Sequence, residues 1–284
     1  MASAQKQDDS MQPASTTIDT QLEQLRQFLY KVRPDEGRPF DVLSLIETYA
    51  QQMQGKGWGA VTVVNEVDEI LRLFDPQPIL AIDVGGNVGD YTAELIRRIP
   101  DLEVHVFEPS RTNTDKLSNR YAGYRDVHVT PLALSDNAGT ATLFSNEPGS
   151  GLSSLTKREL THFGIPFECR EQVDTIRFED YWRTRLQARE LDVVKIDVEG
   201  HELGALRGFG SAVDATKVFQ FEFGGCNIDT RTYFRDFYDF FDGHGFAIRR
   251  VTPLGLQPIE RYRESDEFFS CTNFLAVNRR HLGT

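Results

Sequence analysis

The stretch ILAIDVGGNVGDYT, Ile79–Thr92, passes from four apolar residues to an acid, through a glycine turn, and into a helical pattern. Ile79, Leu80, Ala81 and Ile82 suit a buried strand, and Tyr91, Leu95 and Ile96 have helical spacing. A strand that runs through Gly85, Gly86 and Gly89 into a helix brings backbone N–H groups close to a ligand. Asp83, at the strand end, narrows the choice of ligand. A pyrophosphate gains little from a carboxylate at the mouth of its loop, whereas an ammonium group does.

The spacing also argues against a dinucleotide loop. Aligned on Gly86 and Gly89, the first glycine of the G-x-G-x-x-G fingerprint falls on Val84. An NAD-dependent oxidoreductase therefore remains only as an alternative. S-adenosylmethionine (SAM), which carries both an ammonium group and a ribose, suits the acid and the turn together.

Composition sets the frame. The chain has 284 residues, 39% hydrophobic and 26% charged, as expected of a globular protein with a sizeable core. Its formal net charge of -12 disfavours a nucleic-acid partner, because phosphate binding needs clustered Lys and Arg. No apolar run reaches the length of a membrane span, and the first residues lack the apolar core of a signal peptide. A cytoplasmic location is the expectation. Cys169, Cys226 and Cys271 have neither zinc spacing nor a disulfide framework and read as ordinary thiols.

Three segments follow along the chain. Residues 1–17 are polar and read as a disordered tail. Residues 18–75 carry apolar stripes at helical spacing and read as an N-terminal helical cap, either packed on a core or closing over a substrate pocket. Residues 76–284 alternate strand and helix patterns, which predicts a mainly parallel sheet with helices on both faces. The strand candidates are Ile79–Val84, Val104–Phe107, Val127–Leu134, Val193–Val198, Val218–Phe223, Phe246–Val251 and Phe269–Val277. The last two look like an antiparallel hairpin. Asn146–Pro166 reads as a long loop, a candidate flap over the site.

Ligands of open α/β sheets gather at the carboxyl ends of the strands. Glu108 ends the second strand, 25 residues after Asp83, and is placed to accept from a ribose diol. Ser135 and Asp136 end the third and either reach an adenine edge or make a turn. The fourth strand runs into DVVKIDVEGHE, where Lys195, Asp197, Glu199, His201 and Glu202 crowd one strand end. His201 is a candidate general base or a helix cap. Glu222, between Phe221 and Phe223, ends the fifth strand as a partly desolvated carboxylate. Asp197 and Glu222 can flank a substrate hydroxyl, or hold a divalent ion through oxygen ligands. The hydroxyl reading is preferred and no metal ligand is assigned. Asn273 either faces the same region or satisfies a strand end.

Taken in order, DVGGNVGDYT, FEP, ALSDNAGTATL, VDTIRFEDY, VVKIDVEGHELGALRG, FEF and TNFLAV resemble the FkbM family of SAM-dependent methyltransferases, over about residues 78–280. The resemblance implies a class I, Rossmann-like α/β core: seven strands, mostly parallel with an antiparallel last strand, here with an N-terminal helical extension. It implies methyl transfer to oxygen, commonly a hydroxyl of a sugar, a polyketide or another small metabolite. Asp83, Gly85, Gly86 and Asn87 match the cofactor loop, Glu108 the ribose acid, and Ser135 and Asp136 the segment near adenine. Asp197, Glu199 and Glu202 match the family's DVEGxE block, in which His201 fills the variable position. Catalysis is thus expected from Asp197, His201 and Glu222. A non-catalytic SAM-binding or scaffolding protein is the second alternative.

Overall fold

The computed structural model describes residues 15–31, 39–58 and 63–281. Most of the expected tail, residues 1–14, lies outside them. Contacts divide the chain into two units, Met1–Ala50 and Gln51–Thr284. The first holds helix α1 (Ser15–Lys31) and most of α2 (Pro39–Met53). Helix α3 (Val63–Leu71) belongs to the second, so the division falls inside the segment read as a helical cap.

The second unit continues with β1 (Leu80–Val84), α4 (Asp90–Arg98), β2 (Glu103–Phe107), α5 (Arg111–Arg120), β3 (Val127–Thr130) and β4 (Ala133–Leu134). Next come β5 (Gly139–Ser145), β6 (Cys169–Ile176), α6 (Phe178–Thr184), β7 (Leu191–Ile196), α7 (Glu202–Gly208) and β8 (Thr216–Phe223). The chain closes with α8 (Cys226–Thr230), α9 (Phe234–Gly243), β9 (Phe246–Thr252), β10 (Gly255–Ile259) and β11 (Thr272–Asn278). No helix among the described residues is long and apolar enough to cross a membrane.

The main sheet has the order β3-β2-β1-β7-β8-β11-β9-β10. Strands β3, β2, β1, β7 and β8 run parallel, and β11 enters antiparallel between β8 and β9. This is the class I Rossmann-like sheet, with eight strands where seven were expected. The extra one is β10, which forms a hairpin with β9. It was missed because GLQPI is short and contains a proline, a residue confined to sheet edges. The predicted strand Val127–Leu134 also divides: β3 stays in the main sheet, and after Pro131 the chain crosses to pair β4 with β6. Strands β4, β6 and β5 form a second, three-stranded sheet.

Both faces of the main sheet are covered, which is why β1, β7 and β8 read as nearly continuous apolar runs. On one face Ile82, Val84, Val194, Ile196 and Phe221 meet Phe178, Leu206, Phe209, Phe237 and Phe241 from α6, α9 and the α7 region. On the other, Ala81, Val193, Val218 and Leu275 meet Val67 and Ile70 of α3 with Tyr91 and Leu95 of α4. Helix α3 is therefore part of the core.

Candidate functional site

The order of the strands reverses between β1 and β7, and the crevice opens at the carboxyl ends there. The loop after β1 is held against β2, because Gly85 N and Gly86 N both donate to Phe107 O, at 2.8 and 3.1 Å. Gly85 has φ +81°, and a Cβ there would lie 1.8 Å from the Asp197 carbonyl oxygen. Only glycine lets the loop pass this close to the end of β7. Asn87 N donates to Glu108 Oε2 at 2.8 Å and Ser110 N to Oε1 at 2.9 Å. Burial raises the Glu108 carboxyl to about 7, against the pull of those two donors.

A cavity of about 50 Å³ lies in this crevice. Of the residues chosen from sequence, Gly85, Asn87, Glu108, Asp197, Glu199 and His201 line it. Gly86 sits against Val106, too close for any Cβ. Ser135 adjoins the cavity through His201, whose Nε2 lies 2.9 Å from the Ser135 Oγ. Asp136 is exposed beside them. The loop between β5 and β6 supplies Ser150, Gly151, Ser153 and Leu155 to the wall. It is pinned by paired backbone bonds between Phe144 and Ser154 and by Ser154 Oγ donating to Glu199 O at 2.7 Å. Sequence reasoning missed Asn113, whose Nδ2 donates to Asn87 Oδ1 at 3.0 Å. Its only signal was its place in the first turn of the helix after the Phe-Glu-Pro run.

His201 precedes the first turn of α7, with its ring packed over Gly204, where a Cβ would lie 2.6 Å from it. Burial lowers its pKa, and the nearby Asp136 charge opposes this only in part. The imidazole is thus a neutral partner of Ser135.

Asp83 lies elsewhere. It is fully enclosed, with Oδ2 accepting from Thr92 Oγ1 at 2.6 Å. Register sets Asp83 beside Lys195 and Lys195 beside Gln220, so three polar side chains run across β1, β7 and β8 in the middle of an apolar face. Lys195 Nζ lies 3.0 Å from Asp197 Oδ2 and 4.0 Å from Asp83 Oδ1. Burial alone would lower the Lys195 pKa, but the Asp197 and Asp83 charges outweigh it and raise it. Tyr91 places its ring 5.2 Å from Lys195 Nζ and donates its hydroxyl to Gln220 Oε1 at 2.9 Å. Glu66 of α3 closes the row, accepting from Gln220 Nε2 at 2.6 Å and Asn273 Nδ2 at 2.8 Å. Burial raises its carboxyl to about 7. Asn273 therefore reaches α3.

The acids form a separate group. Ile196 pairs with Phe221, so Asp197 and Glu222 leave neighbouring strands at the same level. The Cys271 thiol donates to Glu222 Oε2 at 3.0 Å. Burial, then the charges of Asp197 and Glu199, push the Glu222 carboxyl well above its ordinary value. Glu199 is raised to about 8 by burial and the Asp197 charge, although Arg158 pairs with it. Glu202 is fully buried, and its Oε1 accepts from Val198 N and Gly200 N, both at 3.0 Å, which shapes the turn leading into α7. The three catalytic candidates thus separate into Asp197 with Glu222 on one side, and His201 with Ser135 on the other. Among the described residues, no third His, Cys, Asp or Glu donor converges with Asp197 and Glu222 in a metal-binding group.

The sheet order and the glycine turn facing two strand-end acids define the class as a Rossmann-like methyltransferase fold. The profile of the methyltransferase FkbM domain matches residues 83–248, and the chain belongs to that family. It is 22% identical over 147 residues to Methyltransferase 1 of Beauveria bassiana (strain ARSEF 2860), covering 47% of this chain and 59% of that protein. It is 28% identical over 159 residues to Methyltransferase sdnD of Sordaria araneosa, covering 47% and 61%. The aligned part thus spans about three fifths of each curated relative. A solved FkbM methyltransferase from Methylobacillus flagellatus KT superposes with a TM-score of 0.47 at 16% identity, covering 92% of this chain and 60% of that one.

Proposed function

We propose that this protein is a SAM-dependent O-methyltransferase acting in the cytoplasm on a hydroxyl of a small metabolite, either a sugar or glycan or a polyketide or peptide product. The observation that carries the reading is the pair Asp197 and Glu222, level on adjacent strands with Asp197 at the cavity wall, and with burial and the Asp197 charge pushing the Glu222 carboxyl well above its ordinary value.

The residues present fit SAM. The Gly85 turn brings the loop against the end of β7, where a Cβ would strike the Asp197 carbonyl, and so sets backbone N–H groups at the cavity edge. Glu108 spends one lone pair of each oxygen on a backbone N–H and keeps others for a diol. Leu132, Leu134 and Leu143 give the cavity an apolar wall suited to a base, with Ser135 and His201 beside it. Bound SAM supplies an activated methyl group on a sulfonium.

The chain's own groups position the acceptor and take its proton. Lys195 fixes the Asp197 carboxylate at the cavity wall. The fully enclosed Asp83 acts through Lys195, balancing its charge from below. Glu222, once ionised, is the base that accepts the proton of the acceptor hydroxyl. An aliphatic alcohol is a weak nucleophile until that proton moves. Positioning supplies much of the remaining rate.

The test is transfer of a labelled methyl from SAM to a panel of sugars, polyketide alcohols and amines. Label on a hydroxyl oxygen supports the reading. SAM binding with no transfer to any acceptor would favour the non-catalytic alternative.

A further inference from the structure

Away from the cofactor cavity, on the amino-terminal half of β2, three side chains bring metal-ligating atoms together. Glu103 and His105 are two residues apart and share a face of the strand. Register places His128 of the edge strand β3 directly beside His105. The two imidazole centroids are 4.6 Å apart, and one donor atom from each of the three residues lies within 4.8 Å of the others.

The surrounding bonds orient this set. Glu103 Oε1 lies 3.0 Å from His105 Nε2, while its Oε2 accepts from Arg189 Nη1 at 2.7 Å. His105 Nδ1 lies 2.7 Å from the Tyr181 hydroxyl. In the metal-free chain the Nε2 proton faces the Glu103 carboxylate, and an ion would replace that proton while the Nδ1 proton is donated to Tyr181. Metal-bound histidines depend on such an outer partner to fix the tautomer. His105 is 6% exposed and His128 is exposed, so one ligand is held rigidly and the other is free to turn.

We propose that Glu103, His105 and His128 form a binding site for a divalent transition ion of the zinc type. Two imidazoles and one carboxylate suit zinc, with a fourth position left to water. Tetrahedral bonds of that kind set donor atoms about 3.4 Å apart. Rotation of the exposed His128 side chain covers the remaining distance. The ion would clasp the edge strand to its neighbour, and Leu132, which follows β3, lines both this cleft and the cofactor cavity.

The test uses the full chain, freed of metal by a chelator and titrated with zinc, then with cobalt as a spectroscopic probe. The expected result is one ion per chain at micromolar affinity, with a rise in melting temperature. His128→Ala, at an exposed position, should weaken binding by at least about tenfold and remove the thermal gain. Glu103→Gln should weaken it in the same direction. Failure of the unaltered chain to bind, or unchanged affinity and thermal gain in both variants, would overturn the proposal. A thiolate charge-transfer band with cobalt would overturn it too, by moving the ion to the cysteines.

Discussion

Lys195 Nζ stands 3.0 Å from Asp197 Oδ2, and that contact joins the buried interior of the sheet to the wall of the cavity. The same ammonium lies 4.0 Å from the fully enclosed Asp83. Lys195→Met would leave the buried Asp83 carboxyl, already raised by burial, without the cation that opposes that rise. Breaking a buried pair in this way costs about 3–5 kcal/mol. Urea denaturation should show that loss, and Asp83→Asn in the same chain should recover part of it. Unchanged stability in the single variant would mean that Asp83 is neutral in the fold.

Glu202 should make stability depend on pH. Its carboxyl is raised by burial from 4.5 to about 7, and Oε2 has no hydrogen-bond partner among the described residues. A raised carboxyl contributes stability that is fully present below its unfolded pKa and lost as pH rises through the folded value. Glu202→Gln keeps an oxygen for Val198 N and Gly200 N and removes the ionisation. The variant should match the parent below about pH 4.5 and be more stable above pH 7, by up to on the order of 3 kcal/mol. Chemical denaturation at pH 5 and pH 8 reads the difference.

Glu222→Gln separates chemistry from binding. Loss of a general base lowers turnover about 10²–10⁴-fold. SAM affinity, measured by calorimetry, should stay within about twofold, because Glu108 and the glycine turn are untouched. The parent's rate should climb with pH as the raised Glu222 carboxyl ionises, and the variant should lose that limb. Equal turnover in parent and variant would remove Glu222 from the mechanism.

Gly85→Ala tests the loop. The added methyl would meet the Asp197 carbonyl oxygen at a φ of +81° that side chains rarely adopt. SAM binding should fall below detection in calorimetry while the far-UV signature of the sheet persists. Retained affinity would mean that the turn does not shape the cofactor site.

Much of this was legible from local pattern. The run ILAIDVGG states strand, turn and approach in consecutive residues, and Glu108, Asp197 and Glu222 announce themselves as acids at the ends of apolar runs. What stayed hidden depends on register and distance. Strand β6 reads CREQVDTI, with charges spread along a strand that is buried at only two positions. Glu66 looked like one more polar residue on a helix face. Its partners Gln220 and Asn273 lie 154 and 207 positions further along the chain. The row Asp83, Lys195 and Gln220 exists only because three separated strands align at that level. Likewise Glu103 and His105 are visible as a pair, but His128 joins them only through parallel pairing.

The position of β11 bears on how the protein is made. It is the last strand in sequence among the described residues, yet it lies inside the sheet between β8 and β9. While the chain is being synthesised, β8 therefore has an open edge until Thr272–Asn278 emerge from the ribosome. Domains tend to fold as units, so this one should not close before β11 has been made. A nascent chain halted near residue 270 would lack Asn273 and the strand that joins β8 to β9. It would present two bare edges to any chaperone or neighbouring chain that reached them first.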